Sequence, residues 1–197
     1  MPFVFKRLAL LMSIAVAFAA DKQTPFKAAP AASYTHHQVN DKVTIGVEAF
    51  TTPDQMKTAF GKLNPYEHGV LPVLLVIQND GDKSIRLDRL KAEYVGPGGN
   101  RVEATPAKDV RYINGPTKPT VIPGPTGPVP LKLKKNPLNA WEIEGRAFAA
   151  QMLPAGNTAS GFIYFQTGLH STATIYLSGL VEAGTGKEII YFEIPLR

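Results

Sequence analysis

The chain has 197 residues, 21 Lys and Arg against 16 Asp and Glu, a formal charge of +5, no cysteine, and 17 residues each of glycine and proline. The missing cysteine excludes a disulfide framework, a thiolate metal site, a cysteine nucleophile and the lipid-attachment cysteine of bacterial lipoproteins. A positive surplus this small is no nucleic-acid footprint, which needs Lys and Arg clustered on one face, and so many turn formers argue for β structure over a helix bundle.

In chain order, Lys6 and Arg7 come first, followed by an apolar stretch from Leu8 to Phe18 interrupted by Ser13. Ala17-Phe18-Ala19 then places small residues at a cleavage position. Residues 1–19 therefore predict an export signal peptide, its apolar part shorter than the roughly 20 residues of a membrane span. The expected location is periplasmic or secreted, in a bacterial context, with no stable membrane insertion once the signal is removed. Cleavage takes Lys6 and Arg7 with it and lowers the charge from +5 to +3. Residues 20–32, rich in Ala, Pro and Lys, read as a flexible tether, and 33–197 as one β-sandwich domain.

Lys42 to Phe50 alternates apolar and polar residues, which predicts a strand with one buried face. Thr52-Pro53 predicts an N-cap with proline in the first helical position, a short helix over 54–60, and a stop at Gly61. Val70 to Gln78 is almost wholly apolar and predicts a central strand covered on both faces. Asn79-Asp80-Gly81-Asp82 predicts a hairpin turn into a strand over 84–95, and Gly96 to Asn100 a second turn into 101–105, giving an antiparallel meander. Residues 115–130 hold too many prolines and glycines for regular pairing and read as a stiff Pro/Gly-rich loop. The basic run Leu131 to Lys135 reads as a solvated strand edge. Over 137–152, Leu138, Trp141, Gly145, Phe148, Ala149 and Met152 recur at helical spacing, predicting an amphipathic helix whose apolar face covers an open end or edge of a sheet. Three further strands follow over 160–167, 173–181 and 187–195. The sum is a mainly β fold, an antiparallel sandwich of about seven strands with one inserted amphipathic helix.

Val73 to Ile85, an apolar strand ending in Asn79 with a polar turn behind it, resembles a strand–turn–strand of immunoglobulin-like domains in exported bacterial proteins. Leu153-Pro154-Ala155-Gly156 ahead of Ser160 to Phe165 is similar to a later turn and aromatic strand of the same domains. The resemblance implies an immunoglobulin-like sandwich and assigns no activity. The Cys…Trp…Cys spacing of antibody-type domains is absent.

No catalytic constellation is found. There is no GxSxG elbow, no phosphate-binding glycine loop before a helix, and no carboxylate pair sharing a helix face. No cofactor signature is present either, and nothing in the pattern sets an oligomeric state. The leading expectation is a non-catalytic exported protein that binds or scaffolds an envelope or extracellular protein. Turn loops and the Pro/Gly-rich loop form its contact surface, with Tyr66 and Tyr112 as candidate partner-binding residues. The alternative is a periplasmic metal-binding protein or metalloenzyme using His36, His37, Glu67 and His68, since imidazole suits zinc, copper or nickel. His170 has no partner in the pattern. Asp80, Asp82 and Ser84 lack the glycine and late glutamate of a calcium loop.

Overall fold

A computed structural model of the chain describes residues 26–113, 121–124, 127–130, 136–189 and 191–197. In chain order its strands are β1 (His36–Asn40), β2 (Val43–Ala49), β3 (Leu71–Asn79), β4 (Ile85–Arg86), β5 (Lys91–Val95), β6 (Arg101–Glu103), β7 (Val121–Gly124), β8 (Gly127–Pro130), β9 (Met152–Leu153), β10 (Thr158–Phe165), β11 (Thr174–Ser178), β12 (Val181–Glu182) and β13 (Phe192–Pro195). The α-helices are α1 (Pro53–Phe60), α2 (Ala107–Val110) and α3 (Trp141–Gly145).

Two antiparallel sheets, ordered β1-β2-β3-β10 and β13-β11-β5-β6, face each other, and a small sheet β12-β4-β9 joins their borders. The mainly β sandwich expected from composition is the fold. Alternation explains the core between the sheets: Val43, Ile45 and Val47 of β2 and Val73, Leu75 and Ile77 of β3 point inward to meet Ile175 and Leu177 of β11 and Phe192 and Ile194 of β13. Each such side chain contributes about 1.5–3 kcal/mol by leaving water.

The apolar run in β3 needs a second cover, because Leu74 and Val76 point the other way. That cover is a third layer on the back of the first sheet. Met56, Ala59 and Phe60 of α1, Val110 of α2 and Ile143 of α3 bury Leu74, Val76, Phe162 and Tyr164 there. Helix α1 begins as expected: Gln55 N–H donates to Thr52 Oγ1 at 3.3 Å while Gln55 Oε1 accepts from Thr52 N–H at 3.1 Å, a reciprocal cap.

Several expectations are corrected. Residues 26–32 of the expected tether are packed: Phe26 lies 5.9 Å from Phe50 and 5.4 Å from Phe162, and Ala31 is fully buried. Residues 1–25, with the expected signal peptide and the rest of the tether, lie outside the described residues. Strand β2 is covered on both faces, because the turn Ala31–Ser33 closes over Gly46, where a Cβ would meet Ala31 O.

The expected meander is not made. The Asn79 side chain holds the chain in a crossover instead: its Nδ2 donates to Lys83 O at 2.8 Å, Pro154 O at 3.1 Å and Leu153 O at 3.2 Å. The following stretch breaks into β4 and β5, with Leu90 N–H turning back to Leu87 O, and β5 joins the opposite sheet.

The expected helix over 137–152 is confined to α3. Past Gly145 the chain serves the free edge of β10: Phe162 N–H donates to Arg146 O at 2.8 Å and Phe148 N–H to Phe162 O at 2.9 Å. An open sheet edge competes for the same backbone groups that a longer helix would use.

The Pro/Gly-rich segment also pairs, β7 with β8, with Ile122 opposite Val129 and Gly124 opposite Gly127. Pro123 faces Pro128 and Pro130 faces Val121, so the three prolines of β7 and β8 sit on alternate pairs of the ladder. Antiparallel pairs alternate between bonded and non-bonded, which lets one set do without N–H donors. The remainder of 115–130 and the basic run 131–135 lie outside the described residues.

Candidate functional site

Helices α2 and α3 pack side by side on the outer layer, and the β7–β8 hairpin joins them in sequence. Each is tied down by one buried residue, Val110 in α2 and Ile143 in α3. The Tyr164 hydroxyl donates to Ile143 O at 2.7 Å, pinning α3 to the sheet. Burial holds this phenol well above its ordinary pKa of 10.0, with the nearby Arg146 charge opposing part of the effect. Asn136 bridges the two helices: its Nδ2 donates to Arg111 O, and its Oδ1 accepts from Leu138 N–H at 2.9 Å.

Around these anchors, aromatic surface faces outward. Trp141, the single tryptophan of the chain, is 66% exposed, and Tyr112 is 56% exposed. The Arg111 guanidinium lies 5.2 Å from the centre of the Tyr112 ring and 3.8 Å from Glu144. Trp141 folds back along α3 over Gly145, where an added Cβ would come within 2.8 Å of the indole. The ring is therefore exposed and laid against its own helix.

Of the residues singled out from sequence, Tyr112 belongs to this surface. Tyr66 does not: it is half-buried, packs against both hydrophobic clusters, and accepts from Leu169 N–H at 3.3 Å, tying the turn Pro65–His68 to the loop after β10.

The proposed metal ligands are not brought together. His36 and His37 are successive residues of β1, and Glu67 and His68 sit in the turn before β3. His37 Nδ1 is 2.8 Å from Tyr34 O, and Glu67 accepts from Asn64 Nδ2 at 2.8 Å. Among the described residues, no group of three or more His, Asp or Glu side chains could hold one metal ion. Asp80 is engaged by Thr44 Oγ1 at 3.1 Å and Gln78 Nε2 at 2.6 Å.

Sequence periodicity placed Trp141 in the core, and the structure places it in water. Gly145, counted in the sequence among the apolar periodic positions, is the residue that gives the indole room. Arg111 was missed because its role depends on a neighbouring ring and on Glu144, distant in sequence. Among the described residues, no helix is long and apolar enough to cross a membrane.

No protein-family model matches the sequence, and no curated protein matches it either. Among solved structures, the chain is similar to ycdA of Bacillus subtilis subsp. subtilis strain 168, with a TM-score of 0.38, 11% identity, and coverage of 81% of this chain and 38% of that one. A functionally unknown protein of Listeria monocytogenes EGD-e gives a TM-score of 0.33 and 13% identity over 81% of this chain and 79% of that chain. The structural-genomics target SoR45 gives 0.34 and 10% over 79% and 88%. Likeness at this level assigns neither a family nor a role.

Proposed function

We propose that the chain is an exported, non-catalytic sandwich of immunoglobulin-like type that binds or scaffolds another envelope or extracellular protein through the α2–α3 surface. The observation that carries this reading is the exposed Trp141, held against Gly145 on α3, with Arg111 and the exposed Tyr112 following the α2 helix that packs beside α3. Trp, Tyr and Arg are the residue types that dominate binding energy at protein interfaces. A ring already ordered before contact loses less freedom on binding than a mobile one. Export is supported by the pattern over 1–19, and a scaffolding role by the absence of a catalytic constellation in the sequence.

The test is site-specific photo-crosslinking in whole cells. A photoreactive residue at Tyr112 should yield a discrete adduct with one envelope protein, Trp141→Ala should abolish that adduct, and a probe at Lys57 on α1 should give none. Equal labelling from all positions, or no adduct from Tyr112, would overturn the reading. Recovery of a periplasmic or secreted form whose mass begins at Ala20 is the expected result for export, and a cytoplasmic protein starting at Met1 the contrary one.

A further inference from the structure

We propose that the outer face of the second sheet carries a saccharide subsite built on Tyr176 and Tyr191. Alternation along β11 buries Ile175 and Leu177 and turns Tyr176 outward, opposite Glu193 of β13 and Glu93 of β5. Tyr191, just ahead of β13, stacks on Tyr176 with ring centres 5.1 Å apart and planes at 28°. On this same face the Arg101 guanidinium lies 4.9 Å from the Tyr176 ring centre and is held by Glu93 at 2.6 Å. The row Arg101, Tyr176, Tyr191 is thereby ordered, and it ends in Tyr191, which is 48% exposed.

Beside this row lies an open hollow of about 340 Å³ lined by Tyr176, Ser178, Glu188, Ile189 and Tyr191. Its chemistry is mixed in a specific way. The tyrosines offer ring surface and phenolic hydroxyls, Ser178 a hydroxyl, and Glu188 a carboxylate, while Ile189 is almost wholly buried beneath. Among the described residues no hydrogen bond engages the Ser178 hydroxyl, the Glu188 carboxylate or either phenol.

A pyranose ring has a flat face of C–H groups and a rim of hydroxyls that both donate and accept. Tyrosine matches this amphipathic shape, and a serine and a carboxylate at the rim match the hydroxyls. Glu93 is paired with Arg101 and Lys91 stands opposite Ser178, so Glu103, Glu188 and Glu193 leave this face a modest acidic excess that favours a neutral ligand over an anion. The exposed lining is mainly tyrosine ring surface, bordered by the Ser178 hydroxyl and the Glu188 carboxylate, with Ile189 covered. A neutral saccharide fits both the ring platform and the rim. The site lies on the second sheet, apart from α2 and α3, and does not depend on the protein-binding reading above.

The experiment is calorimetric titration of the purified chain lacking residues 1–19 with cellotriose, chitotriose and maltotriose, and with tetramethylammonium as a cationic probe. Saturable binding of at least one trisaccharide is expected. Tyr191→Ala should weaken it about tenfold or more, Glu188→Gln by severalfold, and Tyr191→Phe by less than Tyr191→Ala because stacking survives. Trp141→Ala should leave the affinity unchanged. No saturable binding by the three sugars to protein with an unaltered melting transition would overturn the proposal. So would tetramethylammonium binding in place of sugar, or sugar affinity indifferent to both Tyr191→Ala and Glu188→Gln.

Discussion

The two faces of the first sheet are buried by different means. Toward the second sheet the cover is regular, with strand side chains, mostly aliphatic, supplied at every second residue. On the back the cover is irregular and aromatic: Phe26, Phe50, Phe60, Phe162 and Tyr164 come from four separated parts of the chain and meet edge-on or tilted. A partner sheet offers an even surface that aliphatic residues fill well. Short helices and turns leave uneven gaps, and a few large rings fill them with fewer ordered residues. Strand β3 contributes to both covers, so the two layers are expected to unfold together.

The sharpest way to break that comparison is Phe162→Ala. The ring lies 4.8 Å from Phe60, 4.9 Å from Phe50 and 5.4 Å from Phe26, and its loss should cost about 3–5 kcal/mol in urea unfolding. Leu75→Ala, on the opposite face, should cost about 2–5 kcal/mol and give the same single transition. If Phe162→Ala cost under about 1 kcal/mol, or produced a separate early transition, the outer layer would be an accessory and not a second core.

A smaller effect is expected from Phe26→Ala. This ring is partly buried and lies under Arg146 at 5.9 Å, so about 1–2 kcal/mol is expected. No measurable loss would return residues 26–32 to the role of a tether.

Tyr164 sharpens the comparison through pH. The unfolded phenol gives up its proton near pH 10.0, while the folded one, raised by burial, keeps it. Above that pH the unfolded state binds fewer protons than the folded state, so stability is full below about pH 10 and falls as pH rises further. Tyr164→Phe should flatten this fall and should cost about 1 kcal/mol at neutral pH by leaving Ile143 O without its donor. An alkaline profile identical to that of the parent would remove Tyr164 from the account.

The smallest expected effect is that of metal. Saturating zinc, copper or nickel should leave the melting temperature unchanged, since a site present only in the folded state would raise it by mass action. A clear rise abolished by changing His36, His37 or His68 would restore the metal-binding alternative.

Much of the fold was legible where a residue's role is local. Thr52, Pro53 and Gln55 specify the start of α1 through bonds within one turn. The apolar run over Val70 to Gln78 announced a strand covered twice, found as β3, and residues 173–181 announced a strand, found as β11. The periodic residues around Trp141 misled because the pattern cannot register that β10 has an edge to fill. The prolines of β7 and β8 misled because their tolerance depends on which ladder pairs they occupy. The candidate surfaces were half legible: Tyr112 was named from its turn, whereas Trp141, Tyr176 and Tyr191 acquire meaning only from what lies beside them.

The sequence by itself determined the β class, the cap of α1 and the double burial of β3, because each follows from short-range sterics, hydrogen bonding or alternation. Tertiary structure alone decided where the chain leaves one sheet for the other, where α3 stops, and which rings remain in water. Those outcomes turn on competition for a shared sheet edge and on the space left between layers, quantities that no local stretch of residues contains.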